Sequence, residues 1–426
     1  MVCSKWLASD AGHFADQARL LHSSVAMSFS SIFAEKQAEV QALLADVRCP
    51  SVERVEDLLV SSTQRTLELS ELAELLEIGT APEAAEQREL LRAAVARRFT
   101  NPGGNRLRYV APIYVSSYCV DACPYCNFSA TRKSVIRRRL SLEELEDEVQ
   151  LVLARDMRVI ELVYATDPEF TTDLLVRYVG RVAEMLKSEP GSGVLLCTEY
   201  LTGEAYMALR DAGLWGIVQW DETLDANTYR KWHSQSQQKR EFHLRMDNHD
   251  RAMSAGLEVA TGALFGLADF RYDALVQIAK ARHLAFEYGR GPFVLGTARL
   301  KPIAGQELHL QTDVSDYAYE TALLVYKLAL PEVGRWLQTR ETFAMNLRNL
   351  LDGDVFTYRC GEVRPGGYHR PEDADSKAGQ FGVNELEREY VERALAARNF
   401  TIDYSWIKSE ESRGGPTHPA AGCVGT

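Results

Sequence analysis

Leu107-Arg-Tyr-Val-Ala-Pro-Ile-Tyr-Val115 is a short apolar run, and Cys119-Val-Asp-Ala-Cys123-Pro-Tyr-Cys126 follows close behind it. A run of this length and composition reads as a strand, so three thiols stand just beyond a strand's C-terminal end. Thiolates are the usual ligands of iron–sulfur clusters. Three of them hold three irons of a [4Fe-4S] cluster and leave the fourth iron open to chemistry, whereas a fourth protein ligand closes the site for electron transfer. The other cysteines, Cys3, Cys49, Cys197, Cys360 and Cys423, stand singly. No second paired spacing completes a zinc ribbon or a ferredoxin set. A zinc site with a distant fourth ligand is the alternative use of the triplet.

Outward from this segment, short apolar runs alternate with helical stretches, the signature of βα units on a parallel sheet. Strands are expected over 107–115, 159–164, 193–198, 216–220, 257–265, 293–299, 335–339 and 354–358. Amphipathic helices are expected over 141–154, 173–187, 202–212, 272–287, 317–328 and 343–351, and Ser141-Leu-Glu-Glu144 is a capping box that marks a helix start. Such alternation over about 250 residues matches an α/β fold of the (βα)8 TIM-barrel type, whose active site gathers at the C-terminal ends of its strands. The expected organisation is a helical N-terminal extension over 1–104, the barrel over 105–360 and a C-terminal extension over 361–426, frayed from about Ser409. Helical spacing in 33–47 and 67–78 makes the N-terminal part a helical cap on the barrel.

Composition narrows the function classes. The chain has 426 residues, 46% hydrophobic and 25% charged, which is ample for a large core. It shows no apolar run of the roughly 18 residues that a membrane span needs. Eight cysteines in this length are too sparse for a disulfide framework. The first 30 residues mix Asp10, Asp16, Arg19 and His22 among apolar ones, so no secretion signal is expected and the reading is a reducing cytoplasm. A net charge of −12 argues against nucleic acid. The densest basic run, Arg132, Lys133, Arg137, Arg138 and Arg139, reads as a solvated helix approach or as a docking patch for an acidic electron donor.

With aromatic Tyr125 before the last cysteine, the triplet resembles that of the radical S-adenosylmethionine (SAM) superfamily. The likeness spans roughly 55–405 and is strongest to its aromatic amino acid lyase branch, the tyrosine lyases of [FeFe]-hydrogenase maturation and thiazole biosynthesis and the tryptophan lyases that make 3-methyl-2-indolic acid. It is carried by Gly104 to Cys119, Asp221-Glu-Thr223, Gly262 to Asp269, Arg299-Leu-Lys-Pro302, Pro331-Glu-Val-Gly334, Thr339-Arg-Glu341, and Pro365-Gly-Gly-Tyr368 with Gln380-Phe381. The resemblance implies a [4Fe-4S] cluster on Cys119, Cys123 and Cys126, with SAM chelated to the open iron. It sets Tyr125 along the adenine, Arg245 on the SAM carboxylate and Glu199 on the ammonium or ribose. Where relatives carry a glutamate for the ammonium, this chain has Tyr164-Ala-Thr166-Asp167, which makes Asp167 or Thr166 the replacement.

For the substrate the resemblance implies a small molecule, a free aromatic amino acid, with Arg299 pairing its carboxylate and Lys301 as the alternative. Tyr114 lies near the substrate amine, so Tyr114 and Arg299 are the catalytic candidates, with Ser315 and Arg340 as further pocket residues. The expected reaction is carbon–carbon cleavage at the α-carbon, driven by a 5′-deoxyadenosyl radical and fed by a flavodoxin or ferredoxin-type donor. The maturases' further cysteine motif is missing from the tail, which has only Cys423, so their second reaction is not expected. Two alternatives stand beside this reading: a radical SAM enzyme for a sugar, nucleoside or other amino acid, and an iron–sulfur electron-transfer protein.

Overall fold

The strand expected over 107–115 is two strands, and the break between them organises the fold. In chain order the sheet contains β1 (Asn105–Arg108), β2 (Ala111–Ser116), β3 (Val159–Tyr164), β4 (Gly193–Cys197), β5 (Leu214–Val218), β6 (Glu258–Phe265), β7 (Val294–Arg299), β8 (Gly334–Leu337), β9 (Val355–Phe356) and β10 (Phe400–Asp403). Their spatial order is β10-β1-β9-β8-β7-β6-β5-β4-β3-β2. β1 pairs in parallel with β10 and β9, while β2 pairs in parallel with β3. The first strand therefore serves both edges of the curled sheet, and Tyr109 and Val110 carry the chain across the seam. The computed structural model describes residues 26–301, 313–358, 363–369, 379–381 and 386–408. The expected frayed tail from Ser409, together with Pro302, Cys3, Cys360 and Cys423, lies outside them.

The architecture is the expected α/β barrel, with one strand that the sequence pattern did not announce. β10 is short and polar at alternate positions, and it earns its place through the ladder to β1. Helices precede the sheet as α1 (Ser30–Asp46), α2 (Val52–Gln64), α3 (Leu69–Glu77) and α4 (Ala85–Phe99). Around it run α5 (Leu142–Leu153), α6 (Thr172–Leu186), α7 (Gly203–Asp211), α8 (Ala226–His233), α9 (Phe242–Met246), α10 (Asn248–Ser254), α11 (Phe270–Tyr288), α12 (Asp316–Ala329), α13 (Phe343–Asn349) and α14 (Arg388–Ala396). The capping box at Ser141 forms as expected, with Ser141 Oγ accepting from Glu144 N and Glu144 Oε2 accepting from Ser141 N.

The N-terminal helices pack on the flank of the ring. α1 and α3 lie against α11, and α3 and α4 against α12. Arg271 of α11 pairs with Glu77 at 2.5 Å, and Glu320 of α12 pairs with Arg92 at 2.6 Å. Covered by the sheet inside and by these helices outside, α11 and α12 bury residues on nearly every side. That explains why neither shows one clean apolar stripe, since a helix apolar all round is a core helix.

Inside the barrel, Val110, Val159, Leu195, Val218, Ala260, Val294, Trp336 and Val355 form one buried apolar layer. Ile407, Trp406, Trp215 and Phe293 pack against it. Burying each such side chain contributes about 1.5–3 kcal/mol. The barrel is thus a cup, sealed at the N-terminal ends of its strands and open at the other. No helix among the described residues is long and apolar enough to cross a membrane.

Candidate active site

Side chains alternate along each strand, so the residues above the apolar layer can be followed strand by strand. Pro112 and Tyr114 on β2, Glu161 and Val163 on β3, and Cys197 and Glu199 at the end of β4 all line one cavity of about 220 Å³. Trp220 and Glu222 beyond β5, Gly296 and Ala298 on β7, and Gln338 and Arg340 beyond β8 complete its wall. Cys119, Cys123 and Cys126 line the same cavity, on the loop that leaves β2. Gly296 has a packing reason: a Cβ there would come within 2.2 Å of the Trp220 ring, which lies edge-on to Trp336 with ring centroids 5.5 Å apart.

The cysteine loop is held by its own arginines. Arg137 donates to the carbonyls of Ser117, Phe128 and Ser129 at 2.5–2.7 Å, Arg138 pairs with Glu144 at 2.6 Å, and Arg139 pairs with Asp167 at 2.5 Å. The last three arginines of the basic run thus shape the loop, while before them Arg132 is half-buried and Lys133 exposed. Cys119 Sγ accepts from Asp121 N at 3.4 Å, and Cys126 Sγ accepts from Gln380 Nε2 at 3.9 Å. Burial pushes the Cys119 thiol up to about 11 and that of Cys123 up to about 12. A coordinating thiol is deprotonated outright, so metal binding overrides that shift. No three His, Cys, Asp or Glu groups among the described residues converge on a single-ion site. A [4Fe-4S] cluster asks for something else, because each iron takes its own sulfur. Three free thiols spread along one cavity wall suit it.

Opposite the cysteines lies a buried charge network. Glu199 pairs with Arg245, whose Nη2 also donates to Trp220 O at 2.6 Å, and Glu222 takes Lys239 at 2.5 Å. Against the push of burial, Lys239 and Arg245 hold Glu222 below the usual carboxylate range, while Glu199 raises Arg245. Glu199 Oε2 and Arg245 Nε are buried without a hydrogen-bond partner. Glu222 adopts φ +66, a left-handed backbone that few non-glycine residues take. Tyr125 is locked from behind. His233 Nδ1 lies 2.9 Å from Tyr229 O and so carries the proton, leaving Nε2 to accept from Tyr125 OH at 2.6 Å. Burial pushes His233 down to about 3, which keeps it neutral.

The structure sorts the expected residues into two groups. Tyr114, Tyr125, Glu199, Arg245 and Arg340 come together with the three cysteines on the cavity wall. Arg299, Lys301, Ser315 and Asp167 do not. Arg299 follows Ala298 on β7 and so faces the helices. It pairs there with Glu341 and with Asp316 at 2.9 Å, and lies over Tyr319 at 4.8 Å, which corrects the expectation that it faces the barrel. Lys301 Nζ donates to Arg340 O at 2.6 Å and to Glu341 at 3.1 Å. Ser315 caps α12, accepting from Ala318 N at 3.2 Å. Asp167 is buried against Ser116 Oγ at 2.5 Å and Arg139; burial raises its carboxyl, but these partners hold it low. Its neighbour Thr166 lines the cavity instead and donates to Asp121 at 2.6 Å.

Arg340, unlike Arg299, lines the cavity. Its guanidinium stacks on Phe381 at 4.0 Å, its Nε is buried without a partner, and it pairs with no carboxylate among the described residues. Burial pushes its pKa down. Tyr114 OH donates to Gln380 Oε1 at 2.9 Å, so Gln380 touches both a candidate substrate contact and Cys126. Sequence reasoning missed Glu161, Cys197, Trp220 and Lys239 as wall residues; Glu222 and Gln380 sat in quoted motifs that were not turned into roles.

No protein-family profile matches the chain. The chain is 26% identical over 322 residues to 2-iminoacetate synthase of Escherichia coli (strain K12), covering 74% of this chain and 82% of that one. Its fold is similar to the FeFe-hydrogenase maturase HydG from Carboxydothermus hydrogenoformans, with TM-score 0.75 and 24% identity over 88% of this chain and 86% of the other. It is also similar to methylornithine synthase (PylB), with TM-score 0.62 and 19% identity over 83% and 98% of the two chains. A parallel barrel with three thiols at its mouth, and sequence relatives such as 2-iminoacetate synthase, lead to one conclusion: the chain is similar to radical S-adenosylmethionine enzymes, which work with a [4Fe-4S] cluster and SAM.

Proposed function

We propose that this enzyme is a carbon–carbon lyase that fragments a free aromatic amino acid at its α-carbon. The observation that carries the reading is Arg340, whose Nε is buried without a partner and which pairs with no carboxylate among the described residues, on the wall of the cavity that also holds the three thiols. A guanidinium taken from water without an anion is costly, and a substrate carboxylate supplies the bidentate partner that it lacks. Support for an amino acid also comes from the 2-iminoacetate synthase relative.

Cys119, Cys123 and Cys126 would hold the cluster. The chemistry the cluster and SAM would supply is one-electron reductive cleavage of the S–C5′ bond, a source of methionine and a 5′-deoxyadenosyl radical. Glu199 and Arg245 present an unpaired carboxylate oxygen and an unpaired guanidinium nitrogen, which match the ammonium and carboxylate of a methionyl group. Tyr125, fixed by His233, offers its face to the adenine. Tyr114 gives its hydroxyl proton to Gln380, so its oxygen is left to accept from the substrate amine N–H. Burial raises the Tyr114 pKa well above the phenol value, which keeps it neutral. Held at carboxylate and amine, the substrate presents one N–H to the radical. Transfer of that hydrogen would give 5′-deoxyadenosine and a substrate radical; its Cα–Cβ bond would break to leave an imine and a ring-methyl radical, which a second electron from the external reductant and a proton from solvent would convert to p-cresol or the methylindole. The electrons come from an external reductant, which we take to be a flavodoxin or ferredoxin in the cytoplasm.

Anaerobically reconstituted enzyme with SAM and dithionite should form more 5′-deoxyadenosine when L-tyrosine or L-tryptophan is added, and should release p-cresol or an indole product. No stimulation by either amino acid would overturn the reading.

A further inference from the structure

One layer above the apolar floor of the barrel sits an acid that the fold does not need. Glu161 is the middle inward residue of β3, between Val159 in the floor and Val163 above. It is 7% exposed. Its carboxyl meets the Cys197 thiol, and it has no cationic partner among the described residues. A carboxyl in such surroundings costs several kcal/mol unless it is neutral or gains a hydrogen-bond partner. Burial pushes it up to about 7, in keeping with that penalty. Nothing in the reaction at the α-carbon uses this group.

We propose that Glu161 is the specificity-determining residue for the far end of the substrate, accepting a hydrogen bond from a single donor on the substrate's aromatic ring, a phenol O–H or an indole N–H. The assignment rests on the proposed amino acid substrate. The walls around Glu161 favour a flat group: Pro112, the Trp220 indole against Gly296, and Trp336 all line the cavity near the floor. The number of donors also discriminates. A phenol or indole brings one N–H or O–H and needs one acceptor, whereas an ammonium brings three and would leave some unpaired beside these apolar rings. With Arg340 and Tyr114 taking the carboxylate and amine near the mouth, the ring extends toward the floor, where Glu161 stands.

Binding to the reconstituted, SAM-loaded enzyme, measured by calorimetry, tests this apart from turnover. Two pairs of ligands differ only in the donor: L-tyrosine against L-phenylalanine, and L-tryptophan against 3-benzothienyl-L-alanine, which has sulfur in place of the indole N–H. Wild type should prefer the donor-bearing member of one pair by about 100-fold or more, since sites built around a hydrogen bond reject the analogue that lacks it. Glu161→Leu should abolish that preference while still binding the donor-free analogue. Glu161→Gln, which keeps an acceptor oxygen and guards against a folding defect, should retain part of it. Equal affinities within both pairs in wild type, or an equal loss for both members in Glu161→Leu, would overturn the assignment alone. Absence of binding by all four ligands would overturn the amino acid reading and this one together.

Discussion

Arg299 and Glu341 pair on the helix side of the barrel wall, while Arg340, next to Glu341 in sequence, lines the cavity. Neighbours in sequence, Arg340 and Glu341 thus serve different compartments. Arg340 meets no carboxylate among the described residues, and Glu341 is held by the scaffold.

The two arginines should therefore fail differently. Arg340→Gln should raise the KM for the amino acid at least about 30-fold, the equivalent of roughly 2 kcal/mol for losing one side of a buried charge pair, with the folding midpoint little changed. Arg299→Ala removes the guanidinium that pairs with buried Glu341 and should lower unfolding free energy by about 3 kcal/mol. Steady-state kinetics and urea denaturation of the two variants separate the roles. A KM defect in Arg299→Ala without loss of stability would reverse them.

The cavity thiols should also divide. Cys119→Ser, Cys123→Ser and Cys126→Ser should each lose the brown absorbance near about 400 nm after reconstitution. Cys197→Ser, at the end of β4 in the same cavity, should keep it. Absorbance and iron content settle this without a substrate.

Stability should fall with rising pH through one particular carboxyl. Asp273 on α11 accepts from Thr223 Oγ1 at 2.8 Å and Leu224 N at 2.9 Å, while its Oδ2 is buried without a partner. Burial pushes it up to about 8. The native state thus keeps a proton that the unfolded chain loses near its ordinary value of about 3.9. Its contribution is full below that value and is lost as pH rises through about 8. Relative to Asp273→Asn, wild-type unfolding free energy should decline by up to about 1.4 kcal/mol per pH unit between these limits. Parallel profiles for the two proteins would show that the group does not titrate there.

The helices and most strands were legible because they carry strong local signals, such as the Ser141 capping box and the apolar runs of β3, β4 and β6. What failed was the phase of a strand. In Val294-Leu-Gly-Thr-Ala-Arg299 both faces are apolar at the start, as in any parallel strand buried on two sides, so nothing local says whether Arg299 or Ala298 faces inward. Two small residues, Gly296 and Ala298, were the available signal, since the inner face here makes room for Trp220. Glu222 and Lys239 lie on either side of α8, and only the tertiary fold brings them together. The seam at Tyr109 and the added β10 depend on pairings between the start and end of the barrel, which local patterns do not carry.

That seam governs the order of events at the ribosome. Asn105, on the first strand among the described residues, finds its ladder partner in Phe400, far along the chain. At about 5–20 residues per second, the intervening stretch takes on the order of 15–60 s to synthesise. For most of that interval β1 has no neighbour on either side, because β9 is also made late. The newborn barrel waits with its first edge unpaired and its three thiols already made, and closure is among the last acts of folding.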